Sequence, residues 1–173
     1  VGNILYSPNG KLNSLNYLES SGILTIDNKS VEHVVKGDFK VPNEHYPKGR
    51  LTKGGHSKSS FDECEKMGLG NVVEGEYSNG VKWGSIPTSA TKTKRNGGHT
   101  WFPDSWDDDK IVTEMYKVKN GKAKFVANKL NDKGKILGGV YNCDGVAIVY
   151  RQDMSGESFY PEKDQSRYVE GVE

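Results

Sequence analysis

Asn71-Val72-Val73-Glu74-Gly75-Glu76-Tyr77-Ser78-Asn79-Gly80-Val81-Lys82-Trp83-Gly84-Ser85-Ile86 decides the fold class. Two β-rich runs, Asn71 to Tyr77 and Val81 to Ile86, flank a Ser-Asn-Gly step, and Asn-Gly readily takes the left-handed backbone of a tight hairpin turn. Nearer the C-terminus, Gly145 to Gln152 and Glu157 to Pro161 are the arms of a second hairpin joined across Met154-Ser155-Gly156. The charged tail beyond Pro161 is expected to fray. Helical signals are fewer. Ser60 and Glu63 make a capping box for a helix with Phe61, Cys64 and Met67 on one face, ending at Gly68. Another helix starts at Asp104 or Ser105, with Trp106 anchoring its start. It carries Asp107, Asp108 and Asp109 in its positive first turn and runs through Ile111, Met115 and Val118 to Asn120-Gly121. A third has Leu12, Leu15 and Leu18 on one face and stops near Gly22. Short helices segregated from small antiparallel sheets give an α+β domain. The segment Lys40 to Gly55, with two prolines, four basic residues and no period, reads as a long loop.

Composition removes several function classes. No apolar run in the 173 residues approaches the roughly 18 to 20 needed to cross a membrane as a helix. The 24 basic residues nearly cancel the 23 acidic ones, so any grip on nucleic acid must come from a local cluster and not from bulk charge. Cys64 and Cys143 stand far apart and read as reduced thiols, too few to be a disulfide framework. The first residues, Val1-Gly2-Asn3-Ile4-Leu5, have neither an initiator Met nor the pattern of a signal peptide, as expected of a piece of a longer protein.

The chemistry centres on histidine. Of the four, His33, His45, His56 and His99, two follow paired glycines: Gly54-Gly55-His56 and Gly97-Gly98-His99. Such glycines let the backbone approach a ligand closely. Thr91-Lys92-Thr93-Lys94-Arg95-Asn96 precedes His99, and an extended chain would point Lys92 and Lys94 to one side. Two imidazoles and an ammonium are the minimum set for cutting RNA without metal or water. One ring takes the proton of the ribose 2′-OH, the other protonates the leaving 5′-oxygen, and the ammonium stabilises the crowded phosphorane. The nucleophile then belongs to the substrate, so no Ser-His-Asp arrangement or P-loop is required.

Four segments resemble one family in the right order. Glu32-His33-Val34-Val35-Lys36-Gly37-Asp38 is similar to a Glu-His-Val-x-x-Gly-Glu/Asp stretch bearing a first catalytic histidine, and Gly54-Gly55-His56 to a glycine-rich segment bearing the second. Thr100-Trp101-Phe102-Pro103-Asp104-Ser105-Trp106 is similar to a Thr-x-Phe-Pro-x-x-Trp segment downstream of a lysine. Asp144-Gly145-Val146-Ala147-Ile148-Val149 with Ser158-Phe159-Tyr160-Pro161 resembles a closing hairpin whose Tyr-Pro carries a ring into the base site. The family is that of the EndoU endoribonucleases, particularly the bacterial domains at the C-termini of polymorphic and contact-dependent growth inhibition toxins.

That resemblance implies a small N-terminal helical lobe and antiparallel sheets around a catalytic cleft, with residues 1–30 a helical segment and 31–173 the nuclease core. It implies His56 as general base, His33 as general acid, and Lys94 as the cation with Lys92 as second choice. Thr100 would contact base or phosphate, Tyr160 would stack on a base, and His99 is either a phosphate contact or a surface residue. The wide spacing of His33 and His56 keeps His45 as a substitute. Lys48, Arg50, Lys53 and Lys58 near His56, together with Lys92, Lys94 and Arg95, would steer RNA. The implied partners are RNA, tRNA first, and a cognate immunity protein bound to the monomer. No metal or cofactor is expected. The resemblance also implies delivery from the cell surface as the end of a larger protein and action in a target-cell cytoplasm. The rival readings are an RNase A-like or barnase-like toxin, and a non-catalytic adhesive tip with Trp83, Trp101 and Trp106 as ligand platforms.

Overall fold

A computed structural model describes residues 22–173. The chain runs α1 (Asn28–Val35), β1 (Asp38–Lys40), β2 (Arg50–Lys53), α2 (Lys58–Lys66), β3 (Val72–Glu76), β4 (Lys82–Ser85), a 3-10 turn (Lys94–Asn96), β5 (His99–Trp101) and α3 (Asp108–Lys119). It closes with β6 (Lys124–Leu130), β7 (Ile136–Cys143), β8 (Val146–Asp153), β9 (Gly156–Pro161) and α4 (Gln165–Tyr168). Three antiparallel sheets, β1-β2, β3-β4-β5 and β6-β7-β8-β9, make the fold α+β. No helix among the described residues is long and apolar enough to cross a membrane.

Both hairpins form, with Gly75 opposite Trp83 in the first and Tyr150 opposite Phe159 in the second. The main core lies between the four-stranded sheet, α1 and α3, where Ile111, Met115, Ile148 and Phe159 are fully buried. Each such burial contributes about 2 kcal/mol. A smaller cluster, Leu51, Cys64, Leu69, Ile86 and Trp101, sits beneath α2. The two cysteines are free thiols in different clusters.

The local expectations need four corrections. α2 is capped by Ser57 and not Ser60: Ser57 has extended backbone and its Oγ accepts from the Ser60 amide at 3.0 Å. α3 begins at Asp108, where the Asp107 side chain accepts from the Lys110 amide, because the Pro103 carbonyl has already turned the chain at Trp106. The segment expected as one long loop holds β2, paired to β1 and carrying the fully buried Leu51. The tail does not fray. Gln165 of α4 is fully buried and bonds both the N–H and the carbonyl of Ala147 at 2.8 Å.

The helix expected around Leu12, Leu15 and Leu18 lies outside the described residues. The expected division between residues 30 and 31 falls inside α1, whose Ser30 and Val31 are both buried. Trp101 and Trp106 are core residues, and Trp83 is half-buried under Gly75, so the three tryptophans offer no common ligand platform.

Candidate active site

The two catalytic candidates meet because a helix end needs hydrogen-bond donors. The last carbonyls of an α-helix have no partner within it, and α1 carries His33 in its final turn. The His33 carbonyl accepts from the Gly55 amide at 3.2 Å, that of Val34 from the His56 amide at 3.5 Å, and that of Val35 from the Ser57 hydroxyl at 2.5 Å. This approach requires glycine. A Cβ on Gly54, whose φ is +62°, would lie 1.9 Å from the His33 carbonyl oxygen. His33 Nδ1 faces Asp38 Oδ2 at 2.9 Å, so the carboxylate holds Nδ1–H and leaves Nε2 for proton transfer.

His56 is held from several sides. Its Nδ1–H donates to the Thr100 carbonyl at 2.7 Å, which leaves Nε2 as the lone-pair nitrogen of the neutral ring. The ring stacks on His99 at 4.1 Å between centroids and on Tyr160 at 5.3 Å. Burial, then the neighbouring His99 ring, which would have to share a second positive charge with it, and the Lys92 charge hold its pKa well below that of a free histidine. The Thr100 hydroxyl donates to the Pro161 carbonyl at 2.9 Å, tying β5 to β9 beneath this ring.

His99 is buried, not a surface residue. Its Nε2–H donates to the Gly55 carbonyl at 3.0 Å, and its edge meets Trp101 at 5.1 Å. Burial, then the nearby Lys92 charge, pushes its pKa down to about 3, so it stays neutral. The Gly97-Gly98 pair serves this placement, because a Cβ on Gly98 would come within 2.3 Å of the Gly84 carbonyl.

The lysines divide. Lys92 is 8% exposed, lines the cleft with both histidines, and has no carboxylate partner among the described residues. Burial lowers its pKa to about 8. Lys94 is not brought to the cleft: its side chain is 81% exposed and pairs with Glu74 at 3.2 Å. The chain there is not extended. Thr93 caps the 3-10 turn, which carries Lys94 away from Lys92. His45 is exposed in a turn built on Asn43. Of the expected steering cations Lys53 and Lys92 line the cleft; Lys48 reaches the Gly68 carbonyl, Arg50 stacks on Tyr46, and Lys58 pairs with Asp62.

The cleft encloses about 610 Å³ and gathers His33, His56, Lys92, His99, Thr100 and Tyr160. The bacterial EndoU nuclease family matches residues 27–163 of the chain. The chain belongs to this family. No curated protein and no solved structure matches it. The matched stretch of this EndoU domain runs from Asp27, the cap of α1, to Lys163 just past β9, and so includes every side chain that lines the cleft.

Two residues at the EndoU cleft have no role in the sequence motifs above. Asp38 orients His33, and its signal was the turn at Gly37, which folds the residue five places on back against the helix end. Arg151 lines the cleft without a carboxylate partner among the described residues, opposite Ser158 in the β8-β9 register. Counting outward from Met154-Ser155-Gly156 gives that pairing. Among the described residues, no three His, Cys, Asp or Glu side chains converge as metal ligands. The site offers instead a neutral imidazole with a fixed lone pair, a carboxylate-held imidazole, and an unpaired ammonium. That set suits proton transfer around a phosphodiester.

Proposed function

We propose that this EndoU nuclease is an endoribonuclease that cuts RNA by metal-independent transesterification, with His56 as base, His33 as acid and Lys92 as the cation. His56 Nε2 takes the proton of the 2′-OH, whose oxygen attacks the adjacent phosphorus. The bond from phosphorus to the 5′-oxygen breaks, and that oxygen takes a proton from His33 Nε2. The products are a 2′,3′-cyclic phosphate and a 5′-OH, and DNA, lacking the 2′-OH, is not a substrate. The observation that carries this reading is the Nδ1–H of His56 committed to the Thr100 carbonyl, in a cleft shared with His33 and an unpaired Lys92. Burial makes His56 a weak base in the free protein, and an arriving phosphate supplies the negative charge that lets the ring accept a proton. Tyr160, already stacked on His56, offers its ring to a base.

In this reading the domain is a toxin at the end of a larger delivered protein. It acts on RNA in the cytoplasm of a target cell, tRNA first, and as a monomer is held inactive by a cognate immunity protein. Incubating total tRNA with the wild type and His56→Ala in EDTA, then mapping the ends, tests it. Cyclic phosphate ends that vanish in the variant are expected; intact tRNA in EDTA that is cut once manganese is added would overturn the metal-independent mechanism.

A further inference from the structure

A second cavity of about 130 Å³ opens behind His33, walled by Lys29 of α1, Asp38, Lys53 and the Ser155 to Ser158 end of the β8-β9 hairpin. His33, Lys53, Ser155 and Ser158 line both this cavity and the main cleft, so the two are continuous past the proton-bearing ring. Its size, a fraction of the cleft's, suits a charged group and not a nucleoside.

The charges at its wall are unequal in availability. Its two carboxylates are occupied: Asp38 by His33 at 2.9 Å, and Glu157 by Lys119 at 2.9 Å and the Tyr150 hydroxyl. Lys29 and Lys53 have no carboxylate partner among the described residues. Two lysines without a carboxylate partner, exposed at the surface, therefore wall a small polar recess beside the ring that, in the proposed mechanism, hands a proton to the leaving oxygen.

Polarity is set by that neighbour. The 5′-oxygen protonated by His33 belongs to the nucleotide on the 3′ side of the cut, so the chain leaving past His33 is that nucleotide and the rest of the strand on its 3′ side. We propose that this recess is a subsite for the phosphate on the 3′ side of the leaving nucleotide, with Lys29 and Lys53 as its counter-charges. The assignment rests on His33 acting as the acid in the proposed mechanism. It makes the domain prefer internal bonds of an RNA strand over the last bond before a 3′ end.

Deoxyoligonucleotides with a single ribonucleotide allow one bond to be cut, and mixed bases at that position cover an unknown base preference. One substrate ends in a 3′-OH on the leaving nucleotide, a second adds a 3′-phosphate there, and a third carries the extra phosphate at the 5′ end. The 3′-phosphate is expected to raise kcat/KM about tenfold, the size of one charge-assisted contact. It should also steepen the slope of log kcat/KM against log salt by about 0.7. Lys29→Ala should cleave the first substrate at the wild-type rate and lose most of the gain on the second, and Lys53→Ala should compress the same ratio.

Equal rates on the first two substrates, a gain from the 5′-phosphate instead, or a gain that survives in Lys29→Ala would each overturn the subsite while leaving the nuclease mechanism standing. Failure of the wild type to cut these substrates and total tRNA alike would overturn the mechanism and the subsite together.

Discussion

Replacing Lys92 by Met should make this domain more stable and nearly inactive. An ammonium whose pKa has fallen from 10.5 to about 8 is held charged at neutral pH against its surroundings. At about 1.4 kcal/mol per tenfold change in proton affinity, the folded state gives up about 3 kcal/mol to keep it. The sign is set by where the protons sit. Between pH 8 and 10.5 the unfolded chain binds a proton that the folded chain does not, so the wild type gains stability as pH rises through that window. Below pH 8 the full penalty applies, and above 10.5 none of it does. Met keeps the unbranched apolar stem and loses the charge. Lys92→Met should thus unfold later by up to about 3 kcal/mol at pH 7, or about 6 to 12 °C in Tm for a chain of this size. Cleavage should fall by about two orders of magnitude or more, as for loss of a group that stabilises transition-state charge. Thermal unfolding of both proteins at pH 7, 8, 9 and 10, with RNA cleavage alongside, measures both effects. A variant less stable at pH 7, or a stability gap that does not close between pH 8 and 10, would refute the claim that a buried charge is retained there for function.

Other outcomes depend on the same site. In log kcat/KM against pH, loss of the Lys92 proton adds one unit of downward slope above about pH 8, and Lys92→Arg, which keeps its charge, should remove that unit. A wild-type profile without this break would exclude Lys92 as the cation. Stability should fall as pH drops from 6.5 toward 3, because unfolded His99 binds a proton that the folded ring refuses, and His99→Gln should flatten that fall in acid denaturation. Gly54→Ala puts a Cβ at 1.9 Å from the His33 carbonyl oxygen at a residue with positive φ. It should cost more than about 3 kcal/mol in urea unfolding and abolish cleavage; a folded, active Gly54→Ala would show that α1 and the Gly-Gly-His segment are not locked as described.

The sequence disclosed the elements whose signals are local. The Asn-Gly turn announces β3 and β4, the acidic first turn announces α3, and both are dictated by residues within a few positions of one another. The elements it concealed depend on distant partners. β2 is a four-residue strand that exists because β1 lies beside it and Leu51 is covered by α2 and its neighbours. α4 holds because the Gln165 amide pairs with the backbone of Ala147, 18 residues away. The same distinction separates the lysines. Alternation along an extended chain made Lys92 and Lys94 equivalent, and the cap at Thr93, which ends the extension, makes them different.

His33 and His56 are brought together by backbone chemistry that is indifferent to catalysis. α1 ends with carbonyls that need donors, and only a stretch able to take positive φ at consecutive residues can lie close enough to supply them. Gly54-Gly55 has that freedom, and the next amide in line is that of His56. Ser57 then uses one oxygen twice, donating to the Val35 carbonyl and accepting the Ser60 amide that starts α2. The end of one helix, the start of the next and the separation of two imidazoles are thus fixed by four consecutive residues, Gly54 to Ser57. The groups that orient the rings, Asp38 for His33 and the Thr100 carbonyl for His56, lie outside these four residues. The backbone at Gly54 to Ser57 therefore governs how the two rings are placed in the cleft, and the surrounding groups govern which nitrogen each ring presents to it.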